Sequence, residues 1–576
     1  MPVVRDVARL VLPLWFCHVV QCEMEKAMKL KLISAVLAAG LFIASVPSQA
    51  QEERFDITRF DVKGNTILQQ SEIDALVAPY VGPKRNYGDI QKALEAVEGA
   101  YRSRGYGTVN VYVPEQELTS GAVRIEVTEA TIGKVIVKGN TYFNTANVRA
   151  SLPLLVEGKT PNLRALSESV QLANENPAKL VDVTLAAADD PNKVDATVTV
   201  TDSNPRKFIA TVDNTGSKTS GDWRAGLAYQ HANLFGGDEV LTGAYTTSPD
   251  KPNNTKVDVY SVAYRQPLYG LGDSIDVIYG NSNVTTPDSQ ATFGGAFGIA
   301  GKGEVISIRY NHIFPRNGEY TSRLVGGFDY KYFNTKCPLP GVPVSYDPPN
   351  APGAVPSCIP YTDRPISVAY LGQMQGVGYA ADYNVGISKN FSLGTKYTNP
   401  ATGTDDRYSY LSGRTVKDDF AILRGAGSYT KAFGDWQARG AFTGQYVSDG
   451  LVAGEQIGLA GANAVRGFQE RAVATDRGYF VNLEGYTPEL GVPFSMPGSL
   501  RALAFYDFAR GSNLNLVTGS TTSKDEGIAG AGLGLRYSKD KDWSLRLDFA
   551  IVTDAGPAGT ESKGDVRGHF NLTVAF

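Results

Sequence analysis

From about residue 206 onward the chain alternates between apolar and polar residues, and this alternation limits the possible folds more than any other feature. Trp543, Leu545, Leu547, Phe549 and Ile551 fall on one side of an extended strand, with Ser544, Arg546 and Asp548 on the other. Ala531, Leu533, Leu535 and Tyr537 oppose Gly530, Gly532, Gly534 and Arg536, and Trp436, Ala438, Phe442 and Tyr446 oppose Gln437, Arg439, Thr443 and Gln445. The chain closes with Phe570, Leu572, Val574 and Phe576 against His569, Asn571, Thr573 and Ala575. A membrane β-barrel needs this pattern, because only every second residue meets lipid. A soluble sandwich also alternates, but not with long polar side chains repeated over so many strands. At ~20–25 residues per strand with its loops, segment 205–576 accommodates about 16 antiparallel strands of ~9–11 residues. The remaining composition agrees: mean hydropathy is −0.18 and no apolar run is long enough for a membrane helix. A net charge of −4 offers no basic surface for nucleic acid.

The first 50 residues predict an upstream segment and an export signal. Met28-Lys-Leu-Lys31 is a basic start, residues 32–46 are apolar but too few to span, and Ser48-Gln49-Ala50 ends in a small residue. Cleavage is expected after Ala50, with translation starting at Met28 or Met24; a genuine long leader is the rival reading. Export leaves Cys337 and Cys358, which bracket a proline-rich segment. An oxidising compartment favours a disulfide between them, stabilising by roughly 3 kcal/mol on the chain-entropy estimate. Free thiols and a metal site are the weaker alternatives.

Between these regions lies a repeat. Phe60-Asp-Val-Lys-Gly-Asn-Thr66 recurs as Ile136-Val-Lys-Gly-Asn-Thr141. Each copy is a short strand ending in Gly-Asn, a turn signal. After the first copy Ser71 is positioned to cap a short helix. A longer helix follows from about Asp89, with Ile90, Leu94, Val97 and Tyr101 on one face and Gly105 at its end. Strands at 109–113 and 123–127 complete a β-α-α-β-β unit. The second copy has a helix from Leu163 to Ala173 and strands at 181–185 and 194–200. Two tandem α+β domains, 51–130 and 131–204, are expected; an inert spacer is the plain alternative.

Within the alternating region one stretch fits neither helix nor strand: Glu455-Gln-Ile-Gly-Leu-Ala-Gly-Ala-Asn-Ala-Val-Arg-Gly-Phe468. Its glycines allow irregular backbone, and Arg466 stands between Val465 and Gly467. A solvated turn and a loop that places one guanidinium explain it equally well when it is read alone. Further on, Arg501-Ala-Leu-Ala-Phe-Tyr-Asp507 forms a strand. With Ala502, Ala504, Tyr506 and Phe508 toward lipid, Phe505 and Asp507 point inward, and Asp507 becomes a partner for Arg466.

On these residues the chain resembles the two-partner secretion transporters of the haemolysin secretion/activation type, within the outer-membrane protein assembly superfamily. Gly461-Ala-Asn-Ala-Val-Arg-Gly-Phe468 is similar to that family's Val-Arg-Gly-Tyr/Phe loop, and Asp476-Arg-Gly478 also fits. Phe505-Tyr-Asp507 is similar to its Phe-x-Asp-x-Gly strand, although Ala509 stands where Gly is usual. Tyr106, Tyr112-Val-Pro-Glu-Gln116 and the Val-Lys-Gly-Asn copies resemble its tandem polypeptide-transport-associated (POTRA) domains.

The resemblance implies an outer-membrane barrel with two periplasmic POTRA domains. It implies secretion of one unfolded exoprotein bearing an N-terminal secretion domain, of the haemagglutinin or haemolysin kind. The exoprotein is expected on the strand edges and the grooves beside helix 89–104. The loop Val465, Arg466, Gly467 and Phe468 would gate the pore against the wall motif Phe505 and Asp507. Phe576 is similar to the terminal aromatic by which the barrel assembly machinery recognises its clients, and outer-membrane lipid is the surrounding partner. Many members carry a plug helix before the first POTRA domain; between Gln51 and Ile57 there is no room for one, so none is expected.

No cofactor is implied. Gly301-Lys302-Gly303 lacks P-loop spacing, and His18, His231, His312 and His569 are scattered without catalytic or metal spacing, so an enzyme is not expected. An insertase of the same superfamily is the main alternative, and a passive porin would not need the repeat.

Overall fold

A computed structural model of the chain describes residues 54–118, 120–218, 220–252, 256–283, 302–334, 360–391, 407–412, 414–520 and 522–576. The expected signal peptide, the segment ahead of the first small domain, and both Cys337 and Cys358 lie outside the described residues.

The first small domain contains strands β1 (Phe55–Ile57), β2 (Arg59–Lys63), β3 (Gly82–Arg85), β4 (Val109–Tyr112) and β5 (Ala122–Glu129), with helices α1 (Gln70–Val77) and α2 (Tyr87–Ser103). Its main sheet has the order β2-β5-β4, with β2 parallel to β5. Helix α2 starts on a capping box in which Asn86 and Asp89 exchange side-chain-to-backbone bonds. It buries Ile90, Val97 and Tyr101 against Val123 and Ile125. Leu94 is partly buried on the same face. Gly105 ends the helix at φ +95°. Ser71 does not cap α1. The helix runs from Gln70, and its N-cap, two residues before Ser71, is Gln69, which makes no side-chain capping bond. The carboxylate of Glu129 instead accepts from the preceding amides, Thr66 N at 2.8 Å and Ile67 N at 2.9 Å.

That interaction explains the repeat. In the second domain, β6 (Thr131–Lys138), β7 (Lys179–Ala187) and β8 (Lys193–Asp202) form the sheet β6-β8-β7, with helices α3 (Thr145–Ala150) and α4 (Leu163–Ala173). Asp202 accepts from the amides of Thr141, Tyr142 and Phe143 as Glu129 does in the first domain. Each Gly-Asn turn is therefore held by an acid from the last strand of its own unit. Gly64 and Gly139 sit at φ +87° and +84°, where a Cβ would lie 2.2 Å from Val127 O and 2.4 Å from Val200 O. Only glycine fits there.

Sixteen antiparallel strands follow, from Arg206–Asp213 to Val566–Ala575, and the last pairs with the first to close a barrel. One strand is split into Tyr361–Asp363 and Ile366–Gly376, both paired with Tyr320–Phe333. Pro365 interrupts it because it has no N–H to donate, although its carbonyl still accepts from Asp329 N at 3.0 Å. The alternating faces separate as the pattern demands: Leu533 pairs with Phe549 on the exposed outer wall, while Asp548 and His569 pair inside. No described helix is long and apolar enough to cross a membrane; the crossing is made by strands.

The second domain is bolted to the near rim of the barrel. The Lys179 ammonium, fully buried, bonds Asp238 of a rim turn and Asn147 Oδ1. Asn147 Nδ2 donates to Asp238 Oδ1 at 2.9 Å, and the Tyr269 hydroxyl donates to Asp238. Glu175 takes Arg265 and Arg323 from two barrel strands, at 2.8 and 2.7 Å.

Candidate functional site

The segment 447–476 joins strands Trp436–Tyr446 and Arg477–Tyr486 at the far rim and folds back into the lumen. Its apolar residues make the fold-back stable. Val465 and Phe468 are fully buried with Leu459, Val473, Ile528, Val552 and Ala509. The departure at Ala509 thus places a methyl group in the packing under the loop. Gly467, at φ +104°, turns the backbone between the two apolar residues and donates its N–H to His569 Nε2 at 3.0 Å. His569 must present a lone pair at Nε2, so its proton sits on Nδ1.

Arg466 is only 1% exposed. Its Nε donates to Asp507 Oδ2 at 2.6 Å, its Nη2 to Asp507 Oδ1 at 2.8 Å, and its backbone N–H to Asp507 Oδ2 at 3.2 Å. Nη1 reaches Glu484 Oε1 at 2.9 Å and Asp548 Oδ1 at 3.5 Å. The guanidinium lies over the Phe505 ring, 3.5 Å from its centroid. Asn482 bridges wall and loop, donating to Asp507 Oδ1 at 2.8 Å and Ala464 O at 2.7 Å. The neighbouring strand makes room: a Cβ on Gly530 would stand 2.1 Å from Arg466 O.

The structure thus brings Arg466 onto Phe505 and Asp507, while Val465 and Phe468 pack with Ala509, Ile528 and Val552 and Gly467 meets His569. Sequence reasoning missed Glu484, Asp548 and Asn482, and with them Arg439, Arg536 and Arg546. Arg439 meets Glu484 at 3.2 Å, while Arg536 and Arg546 meet Asp548 at 2.9 and 2.8 Å. All six occupy inward positions of the alternation, which was the available signal. Two further anchors hold the ends of the loop. Arg414 makes a bidentate pair with Asp476 at 2.6 and 2.7 Å, and Lys331 and Arg424 meet buried Glu455 at 2.7 and 3.0 Å. Phe576 lies at the closing seam; its backbone exchanges two hydrogen bonds with Phe208, and the rings stack. The described residues hold no cluster with metal-ligating spacing. The lumen arrangement is a polar lock between a loop and a wall.

The family described as haemolysin secretion/activation protein ShlB/FhaC/HecB matches residues 193–336 and 375–537, and the ShlB-type POTRA domain matches residues 55–130. The chain belongs to this family. It is a transporter of the Gram-negative outer membrane with its POTRA domains in the periplasm. The near rim of the barrel is therefore periplasmic and the far rim extracellular. The chain is similar to outer membrane transporter CdiB of Dickeya dadantii, 23% identical over 74% of this chain and 71% of the relative. It is also similar to heme/hemopexin transporter protein HuxB of Haemophilus influenzae strain 86-028NP, 21% identical over 88% and 85% of the two chains. The solved structure of CdiB from Escherichia coli shares the fold, with a TM-score of 0.69 at 20% identity over 97% of this chain and 98% of that one.

Proposed function

We infer that this transporter captures one unfolded exoprotein on its POTRA domains and passes it through the barrel in extended form, without nucleotide hydrolysis. The observation that carries this reading is the lumen lock: the loop folds into the barrel and is held on its wall by ion pairs and hydrogen bonds rather than by a covalent link. Among the described residues of the first domain β4 pairs only with β5, which leaves an edge beside α2 where an extended segment can add as a strand. Energy for export then comes from folding of the exoprotein outside the cell. Phe576 serves as the terminal recognition element for barrel assembly.

The test is co-expression with an exoprotein encoded next to this chain and carrying an N-terminal secretion domain. Arg466→Ala should insert into the outer membrane as well as the parent does, yet release much less exoprotein into the medium. Undiminished release by that variant would remove the loop from the mechanism.

A further inference from the structure

Among the described residues the longest periplasmic turn of the barrel is 487–498, Thr487-Pro-Glu-Leu-Gly-Val-Pro-Phe-Ser-Met-Pro-Gly498. It is rigidly built. Glu489 accepts from Gly491 N at 3.1 Å, Leu500 N at 2.5 Å and Ser499 Oγ at 2.5 Å. Leu490 N bonds Leu500 O at 2.8 Å, and Val492–Phe494 forms one 3₁₀ turn. Ser495 takes the left-handed conformation at φ +51°, which reverses the chain behind Phe494. This ordered turn nevertheless presents Val492, Phe494 and Met496 to the outside, 73%, 75% and 41% exposed. Three apolar side chains displayed on a preformed knuckle call for an apolar environment.

The position of the turn identifies that environment. Leu500 and Tyr537 are cross-strand partners on the outer wall, in line with lipid-facing Tyr506 and Leu533. The Tyr537 hydroxyl donates to Pro497 O at 2.9 Å, and a Cβ on Gly491 would lie 3.7 Å from Leu500 Cβ. The turn therefore packs on the lipid side of the wall rather than beneath the pore. It continues the periplasmic row of outward aromatics, which includes Phe433, Trp436, Trp543 and Phe576. Aromatic and apolar residues at this level sit at the headgroup boundary of a barrel's membrane.

We propose that turn 487–498 is an interfacial anchor that inserts Val492, Phe494 and Met496 into the periplasmic leaflet of the outer membrane. It fixes the height and tilt of this side of the barrel. Its occupant is phospholipid, not the exoprotein.

The proposal is tested on the full chain in its native membrane with p-benzoylphenylalanine placed singly at 492, 494 and 496. Tyr142, an exposed residue of the second POTRA domain, is the aqueous control. Only protein that migrates as a folded barrel without heating is scored, so a position that blocks assembly is replaced by either of the other two. Irradiation should give phospholipid adducts at the turn several-fold above the Tyr142 position, detected by mass spectrometry. Cross-links mainly to polypeptide would instead make the turn a protein-docking knuckle, and yields no higher than at Tyr142 would make it a solvated turn. Either result overturns the anchor.

Discussion

Arg466 and Asp507 meet through two parallel side-chain hydrogen bonds, and the backbone N–H of Arg466 adds a third to the same carboxylate. The pair is buried, so its geometry matters more than its charge alone. A lysine in place of Arg466 keeps the charge but cannot present two donors in one plane. Arg466→Ala should therefore cost about 3–5 kcal/mol by leaving a buried carboxylate uncompensated, and Arg466→Lys, which keeps the charge but loses the fork, should be destabilised to a smaller but still measurable extent. The barrel's thermal unfolding in detergent measures this. Arg466→Ala combined with Asp507→Ala should cost less than the two single changes added together.

Asp476 holds the end of the loop through Arg414, Gln456 Nε2 and the amides of Leu451 and Leu514. Asp476→Asn should free the stem while leaving the Arg466 tip docked. Limited proteolysis of intact cells should then cut near 447–476 at sites protected in the parent. Equal protection in both proteins would show that the tip alone holds the loop.

The two glycine turns of the POTRA domains predict a separable effect. Gly64→Ala and Gly139→Ala each force a Cβ onto a backbone carbonyl at positive φ. Each should cost at least ~1–2 kcal/mol for the left-handed backbone alone. Hydrogen exchange should rise in the first domain for Gly64→Ala and in the second for Gly139→Ala, with the barrel unchanged.

Glu129 gives the first domain an acid limit. Burial raises its carboxyl pKa, but hydrogen bonds from Thr66, Ile67 and Tyr101 outweigh this and hold it below the ordinary glutamate value. With the folded value depressed, the stabilisation is complete above the unfolded pKa of about 4.3. It is lost as pH falls through the lower folded value. Exchange at the amides of Thr66 and Ile67, corrected for intrinsic rate, should accelerate over that window. In Glu129→Gln the acceleration should disappear.

The joint between the second domain and the barrel rests on Lys179 and Asp238. Lys179→Met strands a buried carboxylate and should cost about 3–5 kcal/mol, read as a broadened spin-label distance distribution between domain and barrel. Asp238 sits at φ +69°, where Asn is tolerated. Lys179→Met with Asp238→Asn should therefore recover much of the rigidity.

Local pattern carried the barrel and the repeat, because lipid and core each select one face of a strand or helix. Helix α4 runs from Leu163 to Ala173, the span its periodicity indicates. What local pattern could not carry was long-range. Ser71 looks like a cap in isolation, but the start of α1 is organised by Glu129, nearly sixty residues away. In the lumen, Arg466 and Asp507 stood out as one unusual loop residue and one inward acid. Glu484 and Asp548 did not, because inward charges are common in a wet barrel and only the register of four neighbouring strands brings these two to the same guanidinium.

That register has a consequence for a passing chain. Were the loop to depart, as the proposed export route requires, Glu484, Asp507 and Asp548 would stay on the wall with Arg439, Arg536 and Arg546, while Arg466 would leave with the loop. These six groups are three negative and three positive, and they sum to zero. On the proposed export route, a passenger of arbitrary sequence would meet at these six groups neither a trap for its lysines nor a barrier to its aspartates.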